Sequence, residues 1–199
     1  MTHVNVLESS LMEGGRYMYI GHNPTALRSQ RWFAEALLEL MKDNDFGRIT
    51  VKDICTKSDL SRQTFYQLFS AKEDIIRYCL KSSLCQVQEE AAILPERDFK
   101  QLTACYMRFF SLHEDLVELI LRNNLEYLLE DELSQMVGSL VETLNAAYPD
   151  HIRTYANAFI SGAISNTLLC WFKADQKISE GDLGELMSSI LQGELFPAL

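Results

Sequence analysis

Apolar side chains recur at three- and four-residue spacing along nearly the whole chain, and no stretch alternates as a half-buried strand does. The pattern predicts an all-α protein of about nine helices. Asn23-Pro24 opens the first, with asparagine as cap and proline in the first turn, where its missing N–H costs nothing. Leu27, Phe33, Ala34, Leu37, Leu38 and Met41 give it one apolar face, and Asn44-Asp45-Phe46-Gly47 stops it. A short helix starts at Thr50, where Thr50-Val51-Lys52-Asp53 has the form of a capping box, and ends near Ser58-Asp59. Ser61 caps a second short helix, with Phe65, Leu68 and Phe69 facing inward. Ser70-Ala71-Lys72-Glu73 has the form of another capping box, from which a longer helix runs to about Gln88.

Two short helices about a tight turn, set between longer ones, make a helix-turn-helix layout. Asp59 sits where the chain must reverse, and aspartate tolerates the left-handed conformation better than most residues. Past Pro95 the helices lengthen. Asp98 is a cap ahead of Leu102, Tyr106, Phe109 and Phe110; Leu116, Leu119 and Ile120 mark the next helix. Asn123-Asn124 separates that one from a helix over residues 125–147, stopped by Pro149. Ile152, Tyr155, Ala156, Phe159, Ile160, Ala163, Ile164, Thr167, Leu168, Trp171 and Phe172 then form one long stripe, flanked by the small Ala158, Gly162 and Ser165. After Ser179, a cap, Leu183, Leu186, Met187, Ile190 and Leu191 repeat the spacing. Two such helices suit a four-helix bundle built by two copies, or packing within their own domain; periodicity does not separate the two.

Composition narrows the class. No apolar run approaches a membrane span, and Met1 to Gly15 lacks the basic start and apolar block of a secretory signal, so a cytoplasmic chain is expected. Cys55, Cys79, Cys85, Cys105 and Cys170 are odd in number with no C-x-x-C pair, as reduced thiols would be. The scattered His3, His22, His113 and His151 suggest no metal site, and no cofactor motif, phosphate loop or nucleophile elbow points to an enzyme. The formal charge of −10 looks wrong for a nucleic-acid binder, but its distribution matters more. Residues 25–80 hold nine basic and eight acidic side chains, whereas residues 81–199 hold eight basic and eighteen acidic. The acidity belongs to the C-terminal part, and charge decides nothing about DNA.

The segment TVKDICTKSDLSRQTFYQLFSAKE, residues 50–73, carries the function. It resembles the DNA-binding signature of TetR-type transcriptional regulators: T-V-x-x-I, a tight turn, S-x-x-T-F-Y-x-x-F, then S-x-K-E. The resemblance is close over residues 24–80 and extends to the C-terminal half only in helical layout. Asp59 departs from the commoner glycine. The resemblance implies a flexible extension over residues 1–23, a three-helix DNA-binding domain over 24–80, and a helical bundle over 81–199 for effector binding and dimerisation.

Phe65, Leu68 and Phe69 anchor the second short helix, leaving Arg62, Gln63, Tyr66 and Gln67 outward. Such a helix enters the major groove by its N-terminal residues, where Arg62 suits guanine and Gln63 adenine. By resemblance, Thr50, Ser61, Thr64, Tyr66 and Lys72 hold phosphates, although Thr50 and Ser61 also serve as caps. Arg16, Tyr17 and Tyr19 suit either a minor-groove arm or a disordered extension. The resemblance further implies a homodimer, joined through about residues 150–193, on a near-palindromic double-stranded operator. It also implies an unidentified small-molecule effector that relieves repression. Tyr106, Met107, Phe109, Phe110, Tyr127, Met136 and Trp171 are the candidate pocket, with ordinary core as the competing reading. An activator or co-regulator acting through a protein partner is the alternative function.

Overall fold

The computed structural model describes residues 18–92, 99–144, 149–174 and 178–191. Among them are nine α-helices and no strand, as the periodicity predicted. They are α1 (Pro24–Asp43), α2 (Val51–Ser58), α3 (Arg62–Leu68), α4 (Glu73–Ala92), α5 (Phe99–Leu112), α6 (Glu114–Arg122), α7 (Glu126–Leu144), α8 (Asp150–Lys173) and α9 (Glu180–Leu191). A 3-10 turn, Phe46–Arg48, joins α1 to α2. None of these helices is long and apolar enough to cross a membrane. The Asp98 cap expected for α5 falls outside the described residues, as do Arg16 and Tyr17.

The chain divides into two compact units, and the first is not contiguous: residues up to Lys81 are joined by Leu119–Asn124. Its core is aromatic. Phe33 of α1 meets Phe65 of α3 edge-on at 5.5 Å and Phe69 at 6.2 Å, and all three rings are fully buried. Edge-to-face pairs add about 0.5–1.5 kcal/mol each beyond area burial. Leu37, Met41, Ile54, Ile75, Ile76 and Leu80 close around them.

Caps set the helix limits. Asn23 Oδ1 accepts from Thr25 N at 2.9 Å ahead of Pro24, and Asn44 Nδ2 donates to Leu40 O at the far end. The capping box at Thr50 and Asp53 forms, as does the Ser61 cap on Thr64 N. The second expected box does not form with Glu73. Asp74 takes its place: its buried carboxylate accepts from Ser70 N at 2.9 Å and Ala71 N at 2.8 Å, and α4 starts at Glu73, two residues later than a Ser70 cap would set it. Leu27 was expected on the inner face and is exposed. It stands in the first turn of α1, and the polar Ser29 and Gln30 are buried instead.

The insertion at Leu119–Asn124 fastens the α1–α2 corner. Arg122 donates to Met41 O and Lys42 O at 2.7 and 2.9 Å, meeting the carbonyls that α1 leaves unpaired. Asn123 Oδ1 accepts from Phe46 N at 2.7 Å, while its Nδ2 donates to Leu119 O.

In the second unit α7 packs along α8 and α5 along α9. Phe110 lies 5.4 Å from Phe172, Trp171 Nε1 donates to Ile178 O, and Ser179 caps α9 through Asp182 N. The stripe expected along α8 is two faces. Ile164, Leu168, Leu169, Trp171 and Phe172 are buried, whereas Tyr155 and Phe159 are 77% and 73% exposed. A helix apolar on two sides satisfies the same spacing twice, so periodicity merged them.

Asp59 takes the turn between α2 and α3 with φ 55° and ψ 35°, the left-handed region. Asp59→Gly should therefore hold or raise stability, and Asp59→Val should lower it by about 1–2 kcal/mol. Urea denaturation of the two variants measures this.

Candidate nucleic-acid interface

The candidate interface lies wholly in the first unit and begins with a seven-residue helix. α3 is capped by Ser61, whose Oγ accepts from Thr64 N at 3.0 Å and lies 2.9 Å from Thr64 Oγ1. Phe65 and Leu68 bury its inner side. Arg62, Gln63, Tyr66 and Gln67 are exposed on the other, and the Tyr66 ring leans edge-on to Phe65 at 5.2 Å. One side chain of fixed positive charge and two amides thus share a face with a phenol, a set that suits guanine and adenine edges.

Around α3 stand the expected phosphate ligands. Thr50 is exposed, but its hydroxyl and backbone N–H both donate to Asp53 Oδ2, at 2.6 and 2.9 Å. Those bonds hold the Asp53 carboxyl below its usual pKa, so the box stays ionised and closed at neutral pH. Lys72 is the largest departure from a free surface cation. Its ammonium donates to Phe46 O and Ile49 O at 2.5 and 2.7 Å and sits 4.2 Å above the Phe46 ring. Burial pulls its pKa down from the ordinary lysine value, with the Glu73 carboxylate opposing. Two of its three N–H groups thus bind the α1–α2 corner.

Three contributors escaped the sequence. Asp74 closes the turn ahead of α4, Asn123 holds Phe46 from 77 positions away, and Gln30 lies buried on α1. A polar residue one turn before Phe33 was the available signal for Gln30; nothing local marked Asn123. Tyr19 is no part of a free arm, since its N–H donates to Leu68 O and its carbonyl accepts from Gln30 Nε2. Residues 18–23, expected within a flexible extension, are fastened to the first unit.

Of the candidate effector residues, Tyr106, Met107, Phe109, Phe110, Met136 and Trp171 are buried in the second unit. Tyr127 does not join them: it is 49% exposed. It sits one position off the buried Leu128 and Leu129 series of α7, which turns it outward.

Comparison with known proteins agrees with this geometry. Residues 34–79 match the family described as bacterial regulatory proteins, tetR family. No curated protein matches. Among solved structures, a TetR-family transcriptional regulator from Syntrophomonas wolfei is similar, with 20% identity and a TM-score of 0.58 over 87% of this chain and 97% of that one. A protein of Listeria innocua aligns at 16% identity with a TM-score of 0.68, covering 87% of this chain and 94% of its own. The dihydroxyacetone kinase operon activator DhaS aligns at 16% identity and a TM-score of 0.51, over 85% and 95% of the two chains. At these identities the likeness is one of fold.

Replacing Lys72 by methionine keeps the stem over Phe46 and removes the ammonium. The two carbonyls lose a charged donor, and urea denaturation should show a loss of about 1–3 kcal/mol.

Proposed function

We propose that this chain, whose residues 34–79 match the tetR family of bacterial regulatory proteins, binds DNA through that segment and works as a homodimeric repressor. It binds a near-palindromic operator and leaves it when an effector occupies the second unit. The observation that carries the DNA-binding part is the exposed Arg62, Gln63, Tyr66 and Gln67 face on a helix anchored by Phe65 and Leu68. Arg62 and Gln63 read base edges. Ser61, Thr64, Tyr66 and the remaining N–H of Lys72 hold phosphates, which sets register without specifying sequence; Thr50, whose hydroxyl and N–H both donate to Asp53, reaches a phosphate only by giving up one of those bonds.

Dimerisation is supported by the outer face of α8. Ile152, Tyr155 and Phe159 are exposed at three- and four-residue spacing, and Leu186 and Ile190 are exposed on α9. Apolar side chains so arranged gain free energy by packing on a second copy, and a two-fold axis makes the patch self-complementary. A Cβ at Gly162 on the same helix meets nothing within 4 Å. The two reading heads must then stand about 34–36 Å apart to meet successive major grooves. An effector needs only to bind better to the state whose spacing fails that fit. The buried Tyr106, Met107, Phe109, Phe110 and Trp171 favour a largely apolar effector.

The fold alone does not decide between repression and activation, since DhaS, with a similar fold, is described as an operon activator. Footprinting on the DNA beside the chain's own gene settles the sign: an operator overlapping the promoter means repression, one upstream means activation.

Arg62→Ala and Gln63→Ala should each weaken specific operator binding by about 1–3 kcal/mol and relax base preference at one position. Retardation assays with substituted operators read this, and unchanged affinity in both variants disproves the assignment of α3. Phe159→Glu places a carboxylate on the apolar face of α8, and sedimentation should then show a monomer that retains its helix content. A dimer that survives the substitution removes α8 from the interface.

A further inference from the structure

The short strap before α1 lies outside the residues that match the family, yet it is built into the module. Tyr19 N donates to Leu68 O at 2.9 Å, and Met18 pairs with Phe69 in an antiparallel bridge. Leu68 is the last residue of α3, so its carbonyl is one that the helix itself leaves unpaired. Phe69 is extended, with φ −142° and ψ 143°, and presents an edge for such a pairing.

The other side of the strap is anchored to α1. Gln30, 1% exposed, donates from Nε2 to Tyr19 O at 2.8 Å. Its Oε1 has no hydrogen-bond partner, so this buried amide is retained at a desolvation cost for that bond. Tyr19 Oη accepts from Asn23 N at 3.2 Å, and the ring covers Gly21 so closely that a Cβ there falls 2.3 Å from Oη. Tyr19 therefore ties α1 to α3 with its own backbone, by the carbonyl on one side and the N–H on the other.

We propose that Met18–Gly21 is a positioning clasp for the recognition helix, fixing the C-terminal end of α3 so that its reading residues meet the base edges in register. A helix of under two turns has little stability of its own. Ser61 holds its beginning, Phe65 and Leu68 hold its inner side, and the strap holds its end. Bidentate base contacts demand exact placement, whereas phosphate attraction tolerates displacement. The clasp thus serves specificity more than affinity. The inference rests on the assignment of α3 as the recognition helix.

The test uses a duplex selected by the full-length protein from a random library, and an unrelated duplex of equal length. A chain starting at Met18 should bind both within about twofold of the full chain, since the phosphate contacts and the clasp are intact. A chain starting at His22, and full-length Gln30→Leu, should lose about tenfold or more on the selected duplex while staying within about threefold on the unrelated one. Amide exchange in the peptide covering residues 62–69 should quicken in both. If the chain starting at His22 does not fold, Gln30→Leu and Gly21→Val in the full chain decide the matter. An unchanged ratio of the two affinities, or an equal loss on both duplexes, overturns the clasp. Arg62→Ala run alongside separates the two ideas. If it leaves the ratio unchanged, the assignment of α3 is wrong; if it alone lowers the ratio, only the clasp is.

Discussion

The contact on which the first unit depends is the buried meeting of Phe33 with Phe65 and Phe69. α3 has seven residues and is too short to persist by its own hydrogen bonds. Its shape is borrowed from the core through two rings at one end and Leu68 beside them. That arrangement frees the opposite side of the helix from any structural duty. Arg62, Gln63 and Gln67 make no contribution to the core and are open to variation, which is what a surface that reads different sequences on a common scaffold requires.

Around this apolar centre the corners are held by polar groups that each serve more than one segment. Lys72 binds two carbonyls of the α1–α2 corner and rests on a ring of the same corner. Asp74 closes the turn ahead of α4, and Asn123 reaches Phe46. The phosphate-facing positions proposed here are therefore not loose surface charges. Thr50 and Lys72 already have partners inside the protein, which fix their positions. Preorganisation of this kind lowers the ordering cost of binding.

The sequence made much of this legible because local chemistry and global packing agree over residues 23–69. Asn23-Pro24, Thr50 with Asp53, and Ser61 are caps that act within four residues, and the structure forms each of them. Periodicity failed where a residue answers to something distant. Gln30 breaks the apolar face of α1 to meet a strap eleven residues earlier, and Leu27, expected inside, is exposed. On α8, two apolar faces share one set of spacings, so a single stripe was the simplest reading and the wrong one. Asp74 replaced Glu73 because both lie within reach of the same turn, and only the start of α4 chooses between them. Arg122 and Asn123 read as the ordinary end of a helix, and no spacing links them to Met41 or Phe46.

The bond from Phe46 N to Asn123 has a consequence for how the protein is made. The first unit is fastened by a residue that follows it 77 positions later in the chain. During synthesis every residue of the aromatic core is made before Arg122 and Asn123, so the α1–α2 corner is without these two ties until the chain reaches them. Those ties close a long loop, and the entropy of that closure must be met by Arg122 and Asn123 together. These ties cannot form until Arg122 and Asn123 have been made, so the corner is the last part of the first unit for which all the partners exist.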